Sequence, residues 1–200
     1  TAVLRYTAPD QSSDDGDFFY YQIIDEDGQR SDGVVLALLE EARPPDQIAD
    51  QEPGVEVAYY DLDNPQVLPD FDLLEPIGEE VVANIDYPST GGAFAGSGLS
   101  DDVGAVFQGL VTVPETGWYT LFVESDDGSR LYVGNDLLID NDGLHGMVEQ
   151  AGSIALQVGH HALRIEFFER GGGAGCIVRI EGGGLSKQVI PAESWTHEVP

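Results

Sequence analysis

From Gly54 onward, apolar and polar positions alternate over short runs broken by Gly, Asp and Pro clusters. The runs are VEVAYY, VVANIDY, AVFQGLVTV, WYTLFVE, RLYVG, LLID, SIALQV, ALRIEFFE, CIVRIEG and KQVIPA. In WYTLFVE, a period of two puts Tyr119, Leu121 and Val123 on one face of a strand, with their neighbours on the other. No stretch of useful length carries the longer helical period. Short strands punctuated by turn residues predict an all-β fold, an antiparallel β-sandwich. Before it, FFYYQII and VVLALL are joined by DEDGQRSDG, a hairpin signal. Some 40 residues are too few for an independent sandwich, which takes about 100. Between these regions EEARPPDQIADQEP is polar and rich in proline, a linker composition. The expected division is a β segment over 1–42, a linker over 43–53 and the sandwich over 54–200.

Composition sharpens this picture. Apolar residues make up 42% of the 200, enough for a substantial core. Against 37 Asp and Glu stand 8 Lys and Arg, a formal charge of −29 that argues against nucleic acid or an anionic membrane as partner. Most of this charge reads as solubility in salty surroundings; the sharper reading is that some carboxylates are neutralised by divalent cations. Both fit an extracellular setting rich in Ca²⁺. The lone Cys176 lies in an apolar run and has no partner for an internal disulfide. The run VVLALL is far too short to span a membrane, so no membrane insertion is expected. No signal peptide is visible and the chain starts at Thr1, so it reads as a piece of a larger protein.

Candidate chemistry gathers at the end of WYTLFVE. There Ser125-Asp126-Asp127-Gly128 has turn composition and leads straight into another strand. Successive strand residues point to opposite faces, so two adjacent carboxylates converge only where the backbone departs from regular pairing. A shared Ca²⁺, which takes oxygen ligands in flexible geometry, would give a reason; a solvated hairpin tip is the plainer alternative. Two carboxylates leave Ca²⁺ short of its usual 6–8 oxygens. Glycine-rich backbone is the natural complement, and Glu169-Arg170-Gly171-Gly172-Gly173-Ala174-Gly175 offers it after ALRIEFFE, unless it is simply a long turn. Asp140-Asn141-Asp142-Gly143 is not an EF-hand loop, since Leu138 falls at the first ligand position and the flanks read as strands. His160-His161 would split across the faces of a strand. Catalytic signatures are absent: no Gly-x-Ser-x-Gly and no His-Glu-x-x-His occurs. An enzyme is not expected.

Five separated motifs carry a family resemblance: YYDLDNPQVLPDFD, IDYPSTGGAFAGSG, TGWYTLFVESDDGSRLYV, IDNDGLHG and FFERGGGAG. In this order and spacing they resemble the lectin-like module named after the anthrax protective antigen, found also in yeast flocculins, some glycosidases and large bacterial adhesins. The resemblance covers about residues 54 to 200. It implies that Asp126 and Asp127, joined by a cis peptide, hold a Ca²⁺ that in turn holds sugar hydroxyls. By the same resemblance Gly171 and Gly172 supply backbone ligands, and Arg170 and Gly171 join the two aspartates in touching sugar. Asp140, Asp142 and His145 follow as a second tier, and Asp101-Asp102 match a position read as structural. Residues 1–42 resemble the end of a cadherin-like or immunoglobulin-like adhesin repeat. The expected function is Ca²⁺-dependent binding of cell-surface glycans with vicinal hydroxyls by a monomeric lectin module of a long, multidomain, secreted bacterial adhesin. The alternative is a structural or accessory module of a toxin or glycosidase with no sugar site of its own.

Overall fold

The computed structural model describes residues 17–24, 30–37 and 41–199. The chain divides into two compact units, Thr1–Glu41 and Ala42–Pro200. In the first, β1 (Asp17–Ile24) pairs antiparallel with β2 (Arg30–Ala37), from Asp17 opposite Ala37 to Ile24 opposite Arg30. The rest of the expected adhesin-repeat segment lies outside the described residues.

The second unit is all-β. Its strands are β3 (Gln51–Pro53), β4 (Val55–Asp61), β5 (Gly78–Val82), β6 (Asp86–Thr90), β7 (Val103–Val113), β8 (Gly117–Asp126), β9 (Ser129–Val133) and β10 (Asp136–Asn141), followed by β11 (Val148–Leu156), β12 (Gly159–Glu169), β13 (Ala174–Gly182), β14 (Leu185–Val189) and β15 (Trp195–Glu198). They form two antiparallel sheets packed as a sandwich. The larger runs β10-β9-β12-β7-β15-β3, with β4 also on β7 and β5 on β4; the smaller runs β11-β8-β13-β14, with β6 also on β13. No helix among the described residues is long and apolar enough to cross a membrane.

The alternation in the sequence sets the core. On β8 Tyr119, Leu121 and Val123 are buried, and on β12 Leu163, Ile165 and Phe167 face them from the other layer. Phe94 stacks on Phe167 with ring centroids 4.4 Å apart and meets Phe107 edge-on. Cys176 is buried in the same core, and burial pushes its thiol up to about 12. A second, smaller core forms on the outer side of the larger sheet. There Leu68 and Phe71, from the loop after β4, cover Tyr60, Val106 and Phe168.

The stretch 43–53 was expected as a linker but is tied to the sandwich. Arg43 donates its amide to Ala155 O and accepts from Gln157 N, and Asp46 N donates to His160 O. The Arg43 guanidinium grips Asp46 through two contacts of 2.8 Å, and Asp46 Oδ2 accepts from Ala162 N. Gln51–Pro53 then pairs with β15. Proline withholds a backbone donor but leaves its carbonyl and its neighbours' amides free to bond. The partners lie more than a hundred residues away, where local composition gives no sign of them.

Candidate cation and ligand site

At one end of the sandwich β8 closes against β13, with Gly175 opposite Asp126. The peptide bond between Asp126 and Asp127 is cis. Gly128 follows, and a Cβ there would stand 2.5 Å from Phe168 Cε1 and 2.8 Å from Gly143 N. Only glycine lets the chain pass through that gap. Beneath the turn, Ser125 and Ser129 are buried with hydroxyls 2.7 Å apart, and Asn141 Nδ2 donates to Ser125 Oγ. This polar layer satisfies the interior side of the turn, leaving the two aspartates to the other side.

Asp127 is 8% exposed and accepts from two backbone amides, His145 N at 2.9 Å and Arg170 N at 3.1 Å. Asp126 Oδ2 accepts from Ser89 Oγ at 2.8 Å. The third member is Glu169, the last residue of β12, whose parity puts it on the inward face with Ile165 and Phe167. Oxygens of Asp126, Asp127 and Glu169 lie within 4.8 Å of one another. Glu169 is 0% exposed, and neither carboxylate oxygen has a hydrogen-bond partner among the described residues. Burial, and then the negative charge of Asp127 and Asp126, push its carboxyl up to about 8.

A buried carboxylate without partners beside two more is unfavourable by itself. A divalent cation among them would reverse that balance. The donor set fits a hard cation: all its atoms are oxygens, and ligands about 2.3–2.6 Å from Ca²⁺ can stand up to about 5 Å apart across it. The residues present therefore suit Ca²⁺, which Asp126, Asp127 and Glu169 would hold.

The glycine-rich loop runs over this cluster. A Cβ on Gly172 would be 3.9 Å from Glu169 Oε1, and Gly172 has a φ of +117°. A Cβ on Gly173 would collide with Ser89 Oγ and reach within 3.1 Å of Asp126 Oδ2. The loop is latched from outside: Gly172 N donates to Asp101 Oδ1 and Asp102 N to Arg170 O. Gly171 and the Arg170 side chain are exposed at its rim, and Arg170 Nη1 donates to Gln66 Oε1.

The second-tier residues fall elsewhere. Asp140 and Asp142 both pair with Arg130, and Asp142 Oδ1 also accepts from Leu68 N, so neither joins the carboxylate cluster. His145 reaches it only by its backbone amide; its ring nitrogens lie 2.9 Å from Asn141 O and 2.8 Å from Gly146 O, bracing the loop. Trp118 is 57% exposed on the smaller sheet, whereas Trp195 is buried. Sequence reasoning missed Glu169, Ser89 and Gly173. For Glu169 a signal existed, a charged residue at an inward position of an alternating strand.

Three comparisons bear on this arrangement. A search of curated proteins finds no match. Among solved structures, an anti-sigma factor domain-containing protein is similar at 23% identity and a TM-score of 0.63 over 72% of this chain, which spans 48% of that one. The PA14 sugar-binding domain from an RTX adhesin is 20% identical with a TM-score of 0.60, over 72% of this chain and 98% of that one. The Epithelial Adhesin 9 A domain from Candida glabrata, in complex with Galb1-3GlcNAc, is 10% identical with a TM-score of 0.63, over 80% and 97%. These similarities speak to the fold. The model of the PA14 domain family matches residues 51–182, spanning the turn, the glycine loop and both sheets, and the chain belongs to that family.

Proposed function

We propose that this domain is a Ca²⁺-dependent glycan-binding module of a secreted bacterial surface adhesin. One observation carries the reading: Glu169 is buried with both oxygens unpartnered beside Asp126 and Asp127. Such a cluster is built to receive a cation. The similarity to sugar-binding domains supports the next step, and the end of the sandwich that carries the cluster is open to solvent at Arg170, Gly171 and Gly172. When bound, Ca²⁺ supplies open coordination positions that two adjacent sugar hydroxyls can fill in place of water.

The chain's own residues do the rest. Asp127 is fixed by the amides of His145 and Arg170, and Asp126 by Ser89, so both carboxylates are oriented before any ligand arrives. Arg170 stands at the rim as a donor to a sugar hydroxyl. With few further contacts, single-site affinity for simple sugars is expected at a Kd of about 0.1–10 mM. An adhesin uses such a site through many copies on one surface.

The test is retention on a glycan array with Ca²⁺ and again with chelator, beside calorimetry of chelated protein titrated with Ca²⁺. Heat of binding with Ca²⁺-dependent glycan retention is the expected result. Heat without glycan retention at any Ca²⁺ concentration would leave a structural module, and absence of heat would remove the cation.

A further inference from the structure

The outer face of the larger sheet carries a second feature, distinct from the carboxylate cluster. The loop after β4 covers only part of that face, and the rest forms an open groove of about 950 Å³. Register lines up its floor. Tyr132 on β9 lies opposite Arg164 on β12, Arg164 opposite Gln108 on β7, and Gln108 opposite Glu56 on β4. Adjacent strands are about 4.8 Å apart, so this row crosses about 14 Å of sheet.

Both walls are pinned. On one side Leu68 N is held by Asp142 Oδ1, and Asp72 pairs with Arg164 at 3.0 Å. On the other, Arg43 and Asp46 are bonded to Ala162 and His161 of β12. The floor is also preorganised. Glu166, itself 9% exposed, accepts from Arg164 Nε at 2.9 Å and from the Tyr132 hydroxyl at 3.4 Å. Arg164 thus spends two nitrogens on carboxylates, and among the described residues its Nη1 has no partner. The side chains of Gln108 and Glu56 make no hydrogen bond to the described residues.

We propose that this groove is a second, cation-independent binding site, for an extended neutral oligosaccharide. Its chemistry selects that class. Along the row stand a hydroxyl, a guanidinium donor, an amide that both gives and takes, and a carboxylate acceptor, a mixture that suits hydroxyls, which also do both. The Arg164 guanidinium and the Glu166 carboxylate, already fixed on each other, lose little freedom on binding. Six carboxylates face three guanidiniums along the groove, a balance that repels phosphate, sulfate and uronate groups. The row crosses several strands, so a chain of sugars fills it and a single ring does not. This site does not depend on the calcium reading, because Gln108, Glu56 and Tyr132 lie outside the Asp126, Asp127, Glu169 cluster.

The experiment uses the full chain carrying Asp127→Asn, in EDTA, on an array of neutral oligosaccharides and their component monosaccharides. The expected result is retention of at least one oligosaccharide but none of its monosaccharides, unaffected by added Ca²⁺ and weakened tenfold or more by Gln108→Ala. Glu56→Gln, also at an exposed position, is expected to weaken it as well, with the thermal transition of both variants unchanged. The proposal is overturned if no neutral oligosaccharide is held in EDTA, if Gln108→Ala and Glu56→Gln bind as before, or if only anionic glycans or peptides are retained. The same protein without Asp127→Asn, run with Ca²⁺, reports separately on the calcium site, so either reading can fail alone.

Discussion

Glu169 and Gly173 offer the sharpest tests at the scale of single residues. Glu169→Gln keeps the shape and hydrogen-bonding size of the buried side chain while removing its charge. In chelator, where burial and two aspartates oppose that charge, the variant is expected to melt no lower than the parent. In Ca²⁺ the order reverses. Losing one charged ligand is expected to weaken Ca²⁺ binding tenfold or more, about 1.4 kcal/mol, and to shrink the thermal shift accordingly. Scanning calorimetry in both buffers checks the crossover; a variant that responds to Ca²⁺ like the parent would remove Glu169 from the site. Gly173→Ala puts a methyl group against Ser89 and Asp126. It is expected to cost about 1–3 kcal/mol of stability and to weaken Ca²⁺ binding, with part of both recovered on adding Ser89→Ala. Asp126 and Asp127 were legible in the sequence because adjacency at a turn is a local property. Ser89 and Gly173 were not, because their meeting depends on β13 pairing with both β6 and β8.

At the scale of elements, strand alternation was readable and strand partners were not. The runs AVFQGLVTV and ALRIEFFE announce β7 and β12, but nothing local says that they pair or that β15 returns to cover β3. The proline-bearing stretch 43–53 shows the consequence, since its anchors are all remote. A chain starting at Ala42 is therefore expected to melt like the second unit of the full protein. One starting at Gly54 loses β3 and the Arg43–Asp46 grip and is expected to melt several degrees lower, measured by circular dichroism. That grip also has a pH signature. The Arg43 guanidinium holds the Asp46 carboxyl below its ordinary value of 3.8, so the folded chain binds fewer protons there than the unfolded chain. Its contribution is complete above that value and is lost as pH falls through the lowered one. Arg43→Ala is expected to lower the transition most near neutral pH, by a roughly constant amount, and to flatten this part of the acid limb as the difference from the parent closes.

At the scale of the whole molecule, a charge of −29 makes any cation stabilising to some degree, so the claim of a specific Ca²⁺ site needs separation from general screening. The two effects differ in concentration and in address. Screening of exposed carboxylates by NaCl grows as the Debye length contracts from about 10 Å at 0.1 M to about 3 Å at 1 M, and it acts on the whole surface. Binding at Asp126, Asp127 and Glu169 saturates once free Ca²⁺ passes its own Kd, adding about 2.7 kcal/mol at a hundredfold excess. Chelated protein and its Asp127→Asn variant are therefore expected to gain equally from NaCl. Added CaCl₂ at constant ionic strength is expected to raise the melting temperature of the parent alone. Mg²⁺ at the same concentration should do much less, because it demands near-ideal octahedral geometry and gives up water reluctantly. A melting series over the three salts decides the matter: if Asp127→Asn follows the parent in CaCl₂, or Mg²⁺ matches Ca²⁺, the cation effect belongs to the acidic surface and not to the cluster.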